Sequence, residues 1–227
     1  MKPNDGLLPF MTEIPLEHVH VEPSEPGDGP GPAVVLLHGR GSNEQDLLQI
    51  SRRFPDHLHV VSLRAPDELQ GGYTWYDLDL SAGGLHQSQP HAEQFERSRE
   101  LVRESIEGAI AEYDLDPERI GLLGFSQGAI ASLSLLLDDP DDYAWVVALH
   151  GYLAESHADL DPDGVSGKPV FIGAGEMDQI IPASRAERAA DRLRELGADV
   201  TSNVYQVPHG IGPDELADVV SFVETQV

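Results

Sequence analysis

Short apolar runs alternate with longer amphipathic segments along most of the chain. Six of the runs are rich in β-branched residues, and they span 33–38, 59–64, 119–125, 145–150, 169–175 and 200–207. Continuous apolar runs of this length are typical of strands that are buried on both faces of a sheet. The earlier segment EIPLEHVHVEP (13–23) is a candidate for an additional, antiparallel edge strand.

Between these runs, apolar residues recur at helical spacing. The pattern predicts helices over 43–54, 94–113, 128–137, 182–196 and 213–224. Ser42 and Gln45 match a capping box at the start of the first helix, and Gly197 is a typical C-cap for the fourth. Strands that alternate with helices predict an α/β fold, with a mostly parallel central sheet covered by helices on both faces.

Length and composition limit the class of protein. A chain of 227 residues fits one domain over 1–227 with a large core. No apolar run is long enough to span a membrane, and the opening MKPNDGLLPF lacks the features of a signal peptide. Because the chain has no cysteine, disulfides, thiolate catalysis and cysteine–metal sites are excluded. The low-complexity segment 22–32 is predicted to be an exposed turn or loop.

The charge is strongly acidic. Forty acidic residues oppose fourteen basic ones, for a formal net charge of −26. The acids are spread along the chain, and such a coat with scarce lysine resembles cytosolic proteins adapted to high salt, so a cytoplasmic location is expected. Mimicry of nucleic acid is a less favoured interpretation. Binding to nucleic acid or to an anionic membrane is disfavoured by the same charge.

The stretch GFSQG (124–128) matches G-x-S-x-G between a predicted strand and a predicted buried helix. A serine on such a sharp turn projects its hydroxyl above the sheet, and the two glycines relieve crowding around it. The N-terminus of the following helix offers N–H groups and a positive dipole to an oxyanion. Ser126 is therefore the candidate nucleophile. The alternative is an ordinary strand–helix turn with a capping serine.

A nucleophilic serine needs a base and an acid. Where the serine lies on a turn between a strand and a helix, the acid comes after it in the sequence, follows another strand and precedes the histidine. Asp178 follows the predicted strand 169–175, and His209 is the only histidine beyond it. The sequence thus predicts the catalytic residues Ser126, Asp178 and His209. Glu176 is the alternative acid, and simple turn roles are the alternative for Asp178 and His209.

The segment LLHGRGSNEQDLL after the first central strand is a candidate for the second half of an oxyanion hole. The backbone N–H groups of Arg40 and Gln127 are the predicted donors. His38 is interpreted as structural, bonding within its own loop.

The segment 71–84 is predicted to cross the mouth of the site. Trp75, Tyr76 and Leu85 are the candidate substrate-binding residues, unless the aromatic rings merely pin the loop. No helical insertion is large enough for a lid, so we expect a fairly open site.

Five motifs carry a resemblance to a known family: LLHGRGSNEQDLL, VSLRAPDELQGGYTWYDL, RIGLLGFSQGA, GAGEMDQIIP and VPHGIGPDEL. In this order they resemble the α/β-hydrolase superfamily, and within it the phospholipase/carboxylesterase group that includes acyl-protein thioesterases. The stretch LHGY around His150 departs from that group, in which a small residue is usual.

The resemblance implies a hydrolase with a Ser–Asp–His triad that needs no metal or cofactor and acts on a small-molecule ester. Homodimers are frequent among such proteins. Carboxylic esters with short to medium acyl chains are the favoured substrates. Thioesters and lysophospholipids are alternatives, and a non-catalytic binding module is a further one.

Overall fold

A computed structural model describes residues 13–227. The decapeptide MKPNDGLLPF lies outside the described residues. The strands are β1 (His18–Val21), β2 (Gly31–Leu37), β3 (His59–Leu63), β4 (Asp67–Leu69), β5 (Gly72–Thr74), β6 (Leu78–Asp79), β7 (Gln89–Pro90), β8 (Leu115–Phe125), β9 (Trp145–Leu149), β10 (Pro169–Gly175) and β11 (Asp199–Tyr205). The α-helices are α1 (Leu48–Ser51), α2 (Ala92–Tyr113), α3 (Gln127–Asp138), α4 (Glu155–Ala158), α5 (Ala183–Glu195) and α6 (Pro213–Glu224). Short 3₁₀ turns cover Leu85–Gln87 and Pro140–Asp142.

Seven strands form one sheet in the order β1-β3-β2-β8-β9-β10-β11. All neighbours are parallel except β1, which pairs antiparallel with β3. The predicted parallel sheet and its antiparallel edge strand are therefore confirmed. The strands β4 to β7 form two separate two-stranded ribbons before α2.

Helices cover both faces of the sheet, as predicted. Apolar residues of α2, α3 and α5 form the larger core on one face. On the other face, Val219 and Val223 of α6 belong to a second core, together with Leu47 and Phe54 on either side of α1. Successive residues of β2 alternate between the two cores, because side chains of a strand alternate in direction.

One predicted helix is largely wrong. Over 43–54 the structure has only the four-residue α1, Leu48–Ser51. The N–H of Gln45 donates to Asn43 Oδ1 at 2.9 Å, which makes a local turn instead of a capping box. Ser42 bridges to Tyr73, and its carbonyl accepts the Tyr73 N–H at 2.8 Å. These bonds compete with helix formation and tie the segment to the loop at β5.

The carboxyl ends of β8, β9, β10 and β11 lie side by side in the sheet. In open parallel sheets this edge is where ligands bind. The residues that follow these strands therefore share one edge. Between residues 13 and 227, no helix combines the length and the apolar character that a membrane span requires.

Candidate active site

Ser126 lies at the sharp turn between β8 and α3. Its backbone has φ 54° and ψ −115°, a region that non-glycine residues rarely adopt. The chain is close-packed around this turn. A Cβ on Gly124 would lie 2.2 Å from the carbonyl oxygen of Gly128, and one on Gly128 would lie 1.9 Å from that of Leu37. Glycine at both positions is what allows the turn, as the motif predicted.

Ser126, His209 and Asp178 form a continuous hydrogen-bonded chain. His209 Nε2 lies 3.0 Å from Ser126 Oγ, and His209 Nδ1 lies 2.6 Å from Asp178 Oδ2. With the proton on Nδ1, Nε2 accepts from the serine hydroxyl. The alternative acid, Glu176, is exposed, and its side chain has no hydrogen bond to a residue of 13–227. The structure thus brings together the three side chains that the sequence selected.

Asp178 is held as a carboxylate. Its Oδ1 accepts the N–H groups of Ile180 and Ile181 at 2.8 and 2.9 Å. Burial raises the pKa of Asp178, but the hydrogen bonds from His209 and from these amides outweigh it, so the pKa lies below its ordinary value. A carboxylate here can orient His209 and stabilise its imidazolium.

A second buried histidine also contacts the catalytic carboxylate. His150 follows β9 with φ 54°, and its Nδ1 lies 3.0 Å from Asp178 Oδ2. Its Nε2 lies 3.2 Å from Glu215 Oε2, and the three side chains have no exposed surface. An imidazolium donates from both ring nitrogens and so satisfies a carboxylate at each of them.

The charge state of His150 follows from this environment. Burial lowers the pKa of His150, but its hydrogen bonds and charge interactions with Glu215 and Asp178 outweigh burial, so the pKa is raised above 6.5. Sequence reasoning gave His150 no role. The signal was its place at the carboxyl end of a central strand, beside the other site residues.

Among residues 13–227, one group of side chains has ligand atoms close enough together to hold a metal ion, within 4.8 Å of one another. The group consists of His150, Asp178 and His209. The hydrogen bonds within the group account for this arrangement, and no further ligand is needed to explain it.

Two backbone N–H groups are candidate donors to an oxyanion. Gln127 is the first residue of α3, where N–H groups have no acceptor within the helix. The Arg40 N–H has no acceptor among residues 13–227. Both residues line the same cavity as Ser126. The two residues that carry the predicted donors therefore line the cavity at Ser126, and Gln127 lies at the positive end of α3.

Trp75 and Tyr76 do not line this cavity, which corrects the sequence prediction. Both rings are 0 % exposed and belong to the core. The Trp75 indole Nε1–H donates to the His38 carbonyl at 2.8 Å, and Gln127 Nε2 donates to the Tyr76 carbonyl at 2.7 Å. The two aromatic residues therefore hold the loops beside the site. Leu85 does line the cavity.

His38 is structural, as interpreted from the sequence. It is buried, and its Nδ1 lies 2.7 Å from the Gly39 carbonyl. Its Nε2 accepts the Ala65 N–H at 3.1 Å, a contact outside its own loop. Burial lowers the pKa of His38, so the neutral ring suits this acceptor role.

The cavity at Ser126 has a volume of about 370 Å³. Its wall is mainly apolar around the serine and His209. The apolar and aromatic residues that line it are Leu78, Leu85, Phe125, Ile130, Tyr152, Ile180 and Ile181. Such a wall suits the hydrocarbon part of an ester.

The family profile described as phospholipase/carboxylesterase matches residues 18–227. The chain belongs to this family. Relatives whose names belong to the same group are similar to this chain over most of their length. The acyl-protein thioesterase 1 of Candida albicans is 28% identical over 218 residues, which cover 86% of this chain and 92% of that protein.

Solved structures agree with this assignment. The esterase PE8 is 26% identical with a TM-score of 0.81, over 93% of this chain and 99% of that one. A carboxylesterase of Bacillus cereus superposes with a TM-score of 0.81 at 24% identity, over 93% of this chain and 95% of that one. The α/β-hydrolase fold is thus confirmed, and this member of the phospholipase/carboxylesterase family is an ester-cleaving hydrolase.

Proposed function

We propose that the protein cleaves carboxylic esters with short to medium acyl chains through an acyl-enzyme on Ser126. The observation that carries this proposal is the hydrogen-bonded chain from Ser126 through His209 to Asp178, at the base of an apolar cavity. Side chains in this order and at these distances perform nucleophilic acyl transfer on several unrelated folds.

The acylation step follows from the geometry. Ser126 Oγ attacks the carbonyl carbon while His209 Nε2 takes the hydroxyl proton, and Asp178 stabilises the resulting imidazolium. The oxyanion accepts hydrogen bonds from the N–H groups of Arg40 and Gln127. When the carbon–oxygen bond to the leaving group breaks, His209 returns the proton to the alcohol.

Deacylation repeats the sequence with water. His209 takes a proton from water, the hydroxide oxygen attacks the acyl carbon, and Ser126 leaves with the proton that His209 returns. The acid is released and the free enzyme is restored.

The size of the cavity supports shorter acyl chains. A volume of about 370 Å³ lies at the low end of the range for small-molecule pockets. Over residues 13–227, the Leu85–Gln87 turn is the only helical segment between β6 and β7 beside the cavity. Nitrophenyl esters graded from acetyl to palmitoyl test this preference, and an optimum at the longest chains contradicts it.

A thioester substrate is the second candidate, because a relative over most of this chain is named an acyl-protein thioesterase. Oxygen esters and thioesters pass through the same kind of tetrahedral intermediate. A butyryl ester and the matched butyryl thioester, compared by kcat/KM, decide between the two classes.

A fluorophosphonate probe distinguishes an enzyme from a non-catalytic binding module. We expect the probe to label the wild-type protein and to leave Ser126→Ala unlabelled. A folded wild-type protein that resists labelling and hydrolyses no ester contradicts the proposed function.

A further inference from the structure

A second cavity, of about 410 Å³, lies next to the one at Ser126. Tyr152 lines both cavities. The turn Leu85–Gln87 also contributes to both, because Leu85 lines the catalytic cavity while His86 and Gln87 line the second. The two cavities therefore share part of their wall.

Three arginines line this second cavity: Arg185, Arg188 and Arg192. They are spaced three and four residues apart on α5, so they share one face of the helix. The chain has only fourteen basic residues and a net charge of −26. Among the described residues, Glu155 is the only acidic one in the lining. The cavity thus concentrates positive charge on an otherwise acidic protein.

Arg185 is buried, and no carboxylate of residues 13–227 pairs with it. It is 7% exposed, and its Cζ lies 3.2 Å from the centre of the Tyr152 ring. Its Nη2 donates to the Ser88 carbonyl at 2.9 Å, whereas its Nη1 is buried with no hydrogen-bond partner among residues 13–227. Buried donors are rarely left unpaired, so this nitrogen is a donor that an acceptor in the cavity can satisfy.

Of the other two arginines, Arg188 is the more available to a ligand. Over residues 13–227, Arg188 has no ion pair and no side-chain hydrogen bond. Arg192 is held by two backbone carbonyls, those of Ala158 at 2.9 Å and Leu160 at 2.8 Å, with the exposed Glu195 at 3.3 Å. Backbone carbonyls position a guanidinium without neutralising it.

We propose that this second cavity, the arginine pocket, binds a carboxylate or phosphate group carried by the ester that Ser126 cleaves. The proposal rests on the proposed function. Guanidinium groups bind both kinds of oxyanion in a bidentate geometry, and neighbouring arginines that repel one another are stabilised by such a ligand. The arginine pocket then selects substrates by charge, while the catalytic cavity supplies the chemistry.

Matched substrates and variants test this inference. On the acyl side, mono-4-nitrophenyl glutarate is compared with 4-nitrophenyl valerate. On the alcohol side, phenyl acetate is compared with its para-carboxylate and para-phosphate derivatives, which separates the two oxyanions. Arg188→Gln removes one charge of the pocket, and Arg194→Gln removes the same charge from the same helix outside it. Arg194 pairs with Asp191 and does not line the cavity.

We expect at least one anionic ester to exceed its neutral partner by roughly ten- to a hundredfold in kcat/KM, the size of a charge-assisted hydrogen bond. Arg188→Gln should reduce that preference about tenfold or more, mainly through KM, and leave the neutral esters unchanged. Arg194→Gln should keep the preference.

Equal rates on neutral and anionic esters, or equal losses in both variants, overturn the inference while leaving the proposed function standing. No hydrolysis of any ester overturns the proposed function itself. The two failures are therefore distinguishable in one set of assays.

Discussion

Ser126 occupies a strained backbone conformation, with φ 54°. Strain of this kind costs on the order of 1–3 kcal/mol and persists where the surroundings enforce it. Here the surroundings are the close approach of Gly124 to Gly128 and the packing of α3 against the sheet. The conformation places Oγ within reach of His209, so the strain is tied to the candidate chemistry.

Removing the serine or the negative charge of the aspartate should abolish most turnover. We expect Ser126→Ala to lower kcat by several orders of magnitude, and Asp178→Asn by roughly 10⁴-fold, because the amide does not stabilise the imidazolium of His209. Steady-state kinetics on a nitrophenyl ester measure both effects. Thermal melts serve as the control for folding, and near-normal turnover by a folded Ser126→Ala protein refutes the acyl-enzyme mechanism.

His150 should act as a positioning residue that also tunes the pH range of activity. Its ring lies 5.5 Å from that of His209, so an imidazolium at His150 opposes a second positive charge on His209. We expect His150→Asn, which tolerates the positive φ, to move the acid limb of the kcat/KM profile to higher pH, because it removes a positive charge beside the catalytic base. An unchanged profile would restrict His150 to a packing role.

The same histidine should make stability depend on pH. Its pKa is raised above 6.5 in the folded protein, so its contribution is fully present below pH 6.5 and is lost as pH rises through the folded-state value. The difference in melting temperature between wild type and His150→Asn should therefore be largest at acidic pH. Melts from pH 5 to pH 9 measure it, and a difference that grows with pH contradicts the charge assignment.

At the scale of elements, the junction of β8 and α3 is set by close backbone approach. Helix propensity alone predicts that alanine at Gly128 stabilises α3 by about 1 kcal/mol. A Cβ there would lie 1.9 Å from the Leu37 carbonyl oxygen, which is far inside contact distance. Steric repulsion is therefore the larger effect at this position.

We expect Gly128→Ala to destabilise the protein by about 1–3 kcal/mol or more, and to reduce activity by shifting Ser126. Gly27→Ala is the matched control, because a Cβ at Gly27 has no atom within 4 Å. Chemical denaturation of both variants measures the effect. Equal stabilities for the two variants would show that the turn adapts to the extra carbon.

At the scale of the whole molecule, the net charge of −26 dominates. Unlike charges pair locally, as Arg64 does with Glu44 at 2.6 Å and Arg119 with Asp116 at 2.7 Å. Fourteen basic residues cannot neutralise forty acidic ones. Most carboxylates therefore have no basic partner of their own, and exposed ion pairs add little stability in return.

Salt should stabilise this protein. Carboxylates repel over a Debye length of about 10 Å at 0.1 M salt, which shrinks to about 3 Å at 1 M. We expect the melting temperature to rise between about 0.1 and 3 M potassium chloride, and mild acidification to replace part of the salt effect. A melting temperature that stays flat or falls would show that the acidic surface serves another purpose, such as binding a cationic partner.

The amino-acid sequence alone is sufficient to predict the parallel sheet and the chain order of Ser126, Asp178 and His209. Apolar runs report strands that are buried on both faces, and parallel strands bring their carboxyl ends to one edge. Residues that directly follow those strands are therefore neighbours whatever their separation along the chain. This is why local motifs were sufficient to select side chains that lie 2.6 to 3.0 Å apart.

Which side chains fill the space around that edge depends on contacts that the sequence pattern does not predict. The burial of Trp75 depends on partners in other segments. The turn at Asn43 depends on a local hydrogen bond that competes with the helix. The contact of His150 with Glu215 joins residues 65 positions apart, and the arginine pocket joins α5 to the turn Leu85–Gln87. The spacing of apolar residues indicates which face of a helix or strand is buried, but it does not indicate which residues pack against that face.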